Sequence, residues 1–340
     1  MPPAPDLLGD VLRQVSRSFY LSLRILPVSL REPIGLAYLL ARAADTVADT
    51  RVIPRAERLE QLEALRAAYA GAAPGPKTAR AAAAHQTDLA ERRLLECLDE
   101  ILARLAALPK GDAGAVRAVL DTLTSGMIFD LTRFPGEDVA GLAALETLDE
   151  LDRYTYLVAG CVGPFWTALH VAHRPRLAGW DVDEMSARGV RFGKALQMTN
   201  VLRDVPRDLR AGRCYLPARE LTPLGLRAVD LLDPERSGGA RPLLRSLIVR
   251  TLEHYDVAWG YTLAIPPAEW RMRLACVWPL WIGLGTLGRL TRHANPLAAA
   301  APVKVPRAAV RAMIARTLAI AWSDAALGRE YARLRSGVTL

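Results

Sequence analysis

Cysteine, lysine and aromatic side chains are scarce in this 340-residue chain, and each scarcity narrows what the protein can be. Four cysteines (Cys97, Cys161, Cys214 and Cys276) lie far apart with no C-x-x-C pair, which excludes a paired zinc site and a disulfide framework and suits a reducing compartment. Only Lys77, Lys110, Lys194 and Lys304 among the 44 basic residues are lysine. The +8 excess is therefore carried by arginines scattered along helical faces, a pattern that argues against a nucleic-acid groove. Biased coding explains the arginines as well as function does, although the planar guanidinium fork also suits a diphosphate. The opening MPPAPDLLGD lacks a basic region followed by an apolar run, so a cytoplasmic protein is expected. Long apolar runs are missing too. Leu274–Gly288 falls short of the ~20 residues that a hydrocarbon core requires and contains Pro279, so it reads as a buried core helix.

What is abundant is alanine, leucine and arginine at helical spacing, with 51% of residues apolar. Apolar positions recur three and four apart over about 9–24, 31–50, 54–70, 78–108, 113–133, 147–172, 181–209, 240–262, 268–290 and 305–333. Alternating runs bounded by hairpin turns are absent, and the breaks carry helix punctuation such as Phe134-Pro135-Gly136 and Asn295-Pro296. The expectation is an all-α helical bundle forming one domain over 1–340, with its widest surface loop at about 217–240. Gly283-Leu-Gly285-Thr-Leu-Gly288 matches a dinucleotide-binding pattern, yet no strand precedes it and no acidic residue lies between Glu269 and Asp324 to hold a ribose. These glycines are expected to thin one wall of a cavity. His170 and His173 are three apart with no third ligand at motif spacing, and read as ordinary helix residues.

Two acidic stripes carry the chemistry. Asp45 and Asp49 are four apart on a predicted helix and point one way. At ~4 Å, two like charges repel by about 4 kcal/mol at an effective dielectric of 20, a conflict that a cation or a nearby arginine removes. A solvated stripe beside Arg42 and Arg51 is the alternative. Asn200, Asp204 and Asp208 follow at i, i+4 and i+8 with arginines alongside. Hard oxygen donors of this kind suit Mg²⁺, which bridges carboxylates to substrate phosphates. Two such stripes could face each other across a bundle. Pro206 predicts a kink or an end of the helix between Asp204 and Asp208.

With these residues in view the chain resembles the squalene and phytoene synthase family from about residue 9 to 290. Asp45-Thr-Val-Ala-Asp49 is similar to that family's first aspartate-rich motif, and Asn200-Val-Leu-Arg203-Asp204 followed by Asp208 to its second. Ser16-Arg17-Ser18-Phe19-Tyr20, Tyr38 with Arg42, Tyr154 through Gly163, and Gly212-Arg213-Cys-Tyr215-Leu-Pro217 complete the ordered set. The resemblance implies an isoprenoid-synthase helical fold around a central cavity, binding two prenyl diphosphates with Mg²⁺. It places metal at Asp45, Asp49, Asp204 and Asp208 with Asn200 in support. Diphosphate contacts fall to Ser16, Arg17, Arg42, Arg203 and Arg213, while Phe19 and Gln197 join them as substrate-binding positions. Tyr38 and Tyr154 match tyrosines near the reacting carbons; taken without the resemblance, core packing with a satisfied hydroxyl is the better reading of both.

Ser18 through Pro27 and Gly126 through Gly136 look most like bacterial squalene synthases. The expected reaction is therefore head-to-head joining of two farnesyl diphosphates through presqualene diphosphate to squalene, with NADPH as reductant and Lys194 and Arg210 as contacts for its phosphate. Phytoene, dehydrosqualene or hydroxysqualene synthesis without hydride transfer is the alternative, as is a silent prenyl-diphosphate or lipid-binding protein. A monomer is expected, with the arginine-rich 305–333 helix either a solvated bundle helix or a peripheral contact with the inner face of a membrane.

Overall fold

The computed structural model describes residues 6–16, 20–73, 81–299 and 303–339. Its contacts separate the chain into two compact units, one formed by residues 1–131 with 164–182 and the other by 132–163 with 183–340.

In the first unit, α1 (Tyr20–Ile25) leads into α2 (Val28–Asp49). Leu36, Leu39, Leu40, Ala43 and Val47 of α2 are all fully buried, and their three- and four-residue spacing fixes its inward stripe. The helix stops at Thr50, whose hydroxyl donates to the Thr46 carbonyl at 2.6 Å. Helix α3 (Arg55–Ala70) supplies two further partners for α2. Tyr69 donates its hydroxyl to the Leu40 carbonyl at 2.8 Å, and the buried Arg58 guanidinium donates to the Ala48 carbonyl at 2.7 Å. A cation at the last turn of α2 complements the negative end of its dipole. Two short helices, α4 (Leu89–Glu96) and α5 (Leu98–Ala107), replace the single expected helix over 78–108. The Asp88 carboxylate starts α4 by accepting from the Ala90 and Glu91 amides, and Cys97 separates the pair. The long helix α6 (Lys110–Arg133) begins here, where its Asp112 carboxylate lies 2.9 Å from His173 Nε2. That contact accounts for His173 as a structural residue.

In the second unit, α7 (Leu148–Thr155) continues through a wide turn at Tyr156–Gly160 into the start of α8 (Val162–His173), whose residues from Pro164 on belong to the first unit. The run Leu148–His173 is long and apolar enough to cross a membrane by length and composition alone. The part of this run up to Gly163 packs within the second unit on α9 (Val182–Arg210), where Gly163 meets the Gly189 backbone and Gly193 the Ala159 backbone. Pro206 does not end α9, one of the two outcomes expected of it. Only the amide bond to the Leu202 carbonyl is lost, and the helix runs on to Arg210. Gly212, with φ at +79°, then turns the chain sharply, and a side chain there would meet the carbonyls of Asp138 and Gly136 within 3 Å. Strand β2 (Arg213–Cys214) follows, pairing in parallel with β1 (Ala143–Ala144).

Helices α10 (Arg241–Ala264) and α11 (Trp270–Arg292) form the apolar centre of this unit, with Trp281, Tyr255 and Tyr261 almost completely buried. Helix α11 is the buried core helix expected over 274–288. Its glycines, however, do not thin a cavity wall. Gly283 leaves room for the Tyr255 hydroxyl, which a Cβ would meet at 1.8 Å, and Gly288 faces the Gly337 carbonyl. The expected 305–333 helix is two, α12 (Arg307–Ile320) and α13 (Asp324–Ser336), because Ser323 caps a new start by accepting from the Ala326 amide. The 217–240 loop is itself a chain of short helical turns. The four cysteines are buried and free.

Candidate active site

The second acidic stripe occupies one face of α9. At its upper end the Gln197 side-chain amide donates to the Tyr154 hydroxyl at 3.4 Å, and Asn200 donates to the Gln197 carbonyl oxygen at the same distance. One turn further, Arg203 grips the Asp204 carboxylate with two bonds, Nε to Oδ1 at 2.9 Å and Nη2 to Oδ2 at 2.5 Å. Arg207 then spans both acids, 3.6 Å from Asp204 and 3.1 Å from Asp208. Both carboxylates are largely withdrawn from water, with 12% and 15% of their side-chain surface exposed. Because α9 is continuous, Asp204 and Asp208 stay on one face despite Pro206.

Burial pushes the Asp208 carboxyl up to about 6, and the neighbouring Asp204 adds to the effect, while Arg207 and Arg213 oppose it. The Gly212 turn thus has a chemical consequence, since it brings Arg213 into the electrostatic field of Asp208. Ionising this group in the folded protein is harder than in the unfolded chain. Between pH ~4 and ~6 the native state holds the extra proton, so stability falls as pH rises through that window and remains lower above it, by roughly 3 kcal/mol. Asp208→Asn is accordingly expected to raise the melting temperature of chelator-treated protein at pH 8 and to lose that advantage below pH 4. Thermal unfolding at the two pH values checks this, and a variant less stable than wild type at pH 8 would contradict it.

Aromatic rings complete this part of the site. Tyr154 stacks on Tyr215 with centroids 4.6 Å apart and planes at 24°, and Phe134 meets Tyr215 edge-on at 5.1 Å. The Tyr156–Gly160 turn beside Tyr154 is wider than an α-helical one, with the Cys161 amide reaching back to the Tyr156 carbonyl at 2.9 Å. Such π-type turns recur at functional positions. Tyr215 and Arg207 received no role from the sequence, although both lie inside motifs that it displays.

The first acidic stripe lies on α2 in the first unit. Arg42 donates to Asp45 at 2.5 Å and also pairs with Glu91 of α4. Burial works against the Arg42 charge, but Asp45 and Glu91 outweigh it and hold the guanidinium above its ordinary range. Glu91 was invisible to a motif search because it lies far from α2 in sequence. Tyr38 sits one turn before Arg42 and is half-buried, whereas Asp49 ends the helix and is exposed. The Ser16 hydroxyl is buried and donates to the Leu12 carbonyl at 2.5 Å. Arg17 and Phe19 lie outside the described residues.

Lys194 and Arg210, the expected cofactor contacts, are both engaged. Lys194 reaches both Asp152 oxygens at 2.7 Å, and Arg210 donates to the Pro206 carbonyl on its own helix. Sixteen residues of α9 set them about 24 Å apart, too far to share one phosphate. Near Lys194, Arg191 donates to His254 Nδ1 at 2.5 Å; burial, then Arg191 and Lys194, push the imidazole down to about 4. His254 is neutral at physiological pH.

Among the described residues no three His, Cys, Asp or Glu side chains gather to hold a metal ion. The donor set nevertheless fits Mg²⁺, which takes one or two carboxylates and completes its shell with water and substrate phosphate. Two withdrawn carboxylates, one of them resisting ionisation through burial and, in part, through the other, are what a divalent cation would relieve.

Residues 12–309 match the family described as squalene/phytoene synthase. A phytoene synthase from Arthrospira platensis is 27% identical over 288 residues, covering 82% of this chain and 80% of its own length. Squalene synthase 1 of Arabidopsis thaliana is 25% identical over 300 residues, covering 84% and 66%. Among solved structures, a squalene synthase in complex with the ligand BPH1237 superposes with a TM-score of 0.71 at 21% identity, covering 97% of this chain and 96% of that one. The likeness identifies the all-α isoprenoid-synthase fold.

Proposed function

The chain belongs to the squalene/phytoene synthase family of head-to-head prenyl transferases, and from that premise we propose that it joins two farnesyl diphosphates through presqualene diphosphate to squalene, with NADPH supplying the final hydride. The observation that carries the proposal is the α9 face, on which a tyrosine-bonded amide, an asparagine and two arginine-held carboxylates succeed one another.

Mg²⁺ held by Asp204 and Asp208 with Asn200, and by Asp45 and Asp49, would supply charge stabilisation to the departing diphosphate. On α9 and beyond it Arg203 and Arg213 bind diphosphate oxygens, Arg203 by releasing part of its contact with Asp204; on α2 Arg42 does the same by releasing part of its contact with Asp45. Ser16 turns its hydroxyl from the Leu12 carbonyl toward a diphosphate oxygen. Departure of the diphosphate leaves an allylic cation. The π-face of Tyr154 attracts such a cation by ~0.5–2 kcal/mol, and the stacked Tyr215 holds that ring in plane. The double bond of the second substrate attacks, a proton leaves and a cyclopropane closes. A second ionisation and rearrangement give a cation that hydride quenches. The buried rings of Tyr154, Tyr215 and Phe134 help keep water from doing so first.

The decisive experiment supplies farnesyl or geranylgeranyl diphosphate with Mg²⁺, with and without NADPH, and identifies the hydrocarbons by mass spectrometry. Squalene that depends on NADPH is expected. A farnesyl-derived product unchanged by NADPH, hydroxysqualene included, removes the reductive step, and consumption of geranylgeranyl diphosphate alone makes the product phytoene, in line with the similarity to phytoene synthases. No hydrocarbon from either substrate leaves a binding protein.

A further inference from the structure

The arginines of the C-terminal segment divide into two groups. Arg316 and Arg333 pair with Glu330, Arg335 pairs with Asp256, and the buried Arg273 pairs with Asp324. These tie α11, α12 and α13 together. The outer face of α12 is different. Arg307, Arg311, Ala315 and Leu318 follow at spacings of four, four and three, which places them on one stripe of α12; Trp322 lies in the turn just past its end, and all five are exposed. Leu318 is 42% exposed and Trp322 55%, so a large indole and a leucine face water. Trp322 leans on Trp270, with centroids 5.8 Å apart, and Arg271 covers Trp270 at 5.0 Å from its ring. From Trp270 to Ser323 the sequence contains no aspartate or glutamate but eight basic residues, Lys304 and seven arginines.

We infer that this face of α12, with the Trp270–Trp322 corner, docks onto an anionic lipid bilayer. The charge pattern selects that occupant. Basic side chains at one end of the stripe meet lipid phosphates, and their aliphatic stems allow the heads to stay at that level. The leucine and the tryptophan pair at the other end enter the boundary between headgroups and chains, where amphipathic indoles reside. Trp278 Nε1 donating to Thr317 Oγ1 at 2.8 Å pins the opposite side of α12 to the core, so the outer face is presented rigidly. The docking residues lie outside the candidate active site, so the inference stands independently of the proposed reaction.

Sedimentation with phosphatidylcholine vesicles containing about a third phosphatidylglycerol tests it, with pure phosphatidylcholine as reference. The full chain is expected to partition onto the anionic vesicles and to be released by high salt. Replacing Trp322 and Leu318 with serine together weakens partition at least about tenfold. Replacing Arg307 and Arg311 with glutamine weakens it by roughly thirtyfold and flattens the salt dependence. Unchanged circular dichroism and melting temperature establish that the variants are folded, as expected for exposed positions. Failure to bind anionic vesicles, or variants that bind like the parent, overturns the inference. A dimer in light scattering that the Trp322 and Leu318 replacements dissociate also overturns it and makes the face a contact between two copies.

Discussion

Replacing Asp204 with asparagine lowers turnover of prenyl diphosphate by at least about 10³-fold while the protein remains folded. The two halves of this expectation have separate causes. Asn is nearly isosteric with Asp and keeps one oxygen for Arg203, so α9 loses a two-bonded ion pair but no packing. It also removes a carboxylate whose neighbour Asp208 resists ionisation partly because of it, and that relief offsets some of the lost pairing. Stability therefore changes little. Activity does not survive on the same terms, because a neutral amide binds a divalent ion far more weakly than a carboxylate and withdraws charge stabilisation at the step where the diphosphate departs. Steady-state product formation at saturating Mg²⁺, alongside a melting curve, measures both. A folded variant retaining more than about a tenth of wild-type turnover would remove Asp204 from the metal-binding role.

How much of this could be read beforehand depends on the distance over which each signal acts. The helices were legible because their periodicity is local, and α2, α9 and α11 begin and end within a few residues of where the pattern puts them. Pro206 misled because a missing amide is visible in sequence, whereas the neighbouring bonds that carry α9 past it are not. The split at Ser323 and the late start of α4 at Asp88 were marked by cap residues that the periodicity overran, whereas the break at Cys97 carries no side-chain cap. The acidic stripes were legible as patterns. Their partners were so only when close in the chain: Arg207 sits beside Asp208, while Glu91 reaches Arg42 from another helix and no spacing rule finds it. Tyr215 is intermediate, since its motif is visible but its stacking on Tyr154 depends on the Gly212 turn and the β1–β2 pairing.

A valine at position 163 destabilises the protein by at least about 4 kcal/mol, enough to abolish folded protein if its total stability lies at the low end of the usual range. At the start of α8, a Cβ on Gly163 would lie 2.1 Å from the Gly189 carbonyl carbon and 2.4 Å from its oxygen, both backbone atoms of α9. No rotamer relieves a contact with backbone, so the two helices must separate, and the gap would open along the Gln197–Tyr154 contact that orients the ring. The sign of even the smallest change is diagnostic. Glycine inside a helix ordinarily costs 0.5–1 kcal/mol relative to alanine. At Gly114 in α6, where nothing lies within 4 Å of a built Cβ, alanine is expected to stabilise by about that amount. At Gly163 the same substitution is expected to destabilise, and to lower activity further, since ~1 Å of misplacement can cost 10²-fold in rate. Denaturant unfolding of Gly114→Ala, Gly163→Ala and Gly163→Val resolves the contrast. Gly163→Val unfolding within about 1 kcal/mol of wild type would show that α8 and α9 are not in backbone contact, and with that the account of how Tyr154 is aimed at the acidic face would fail.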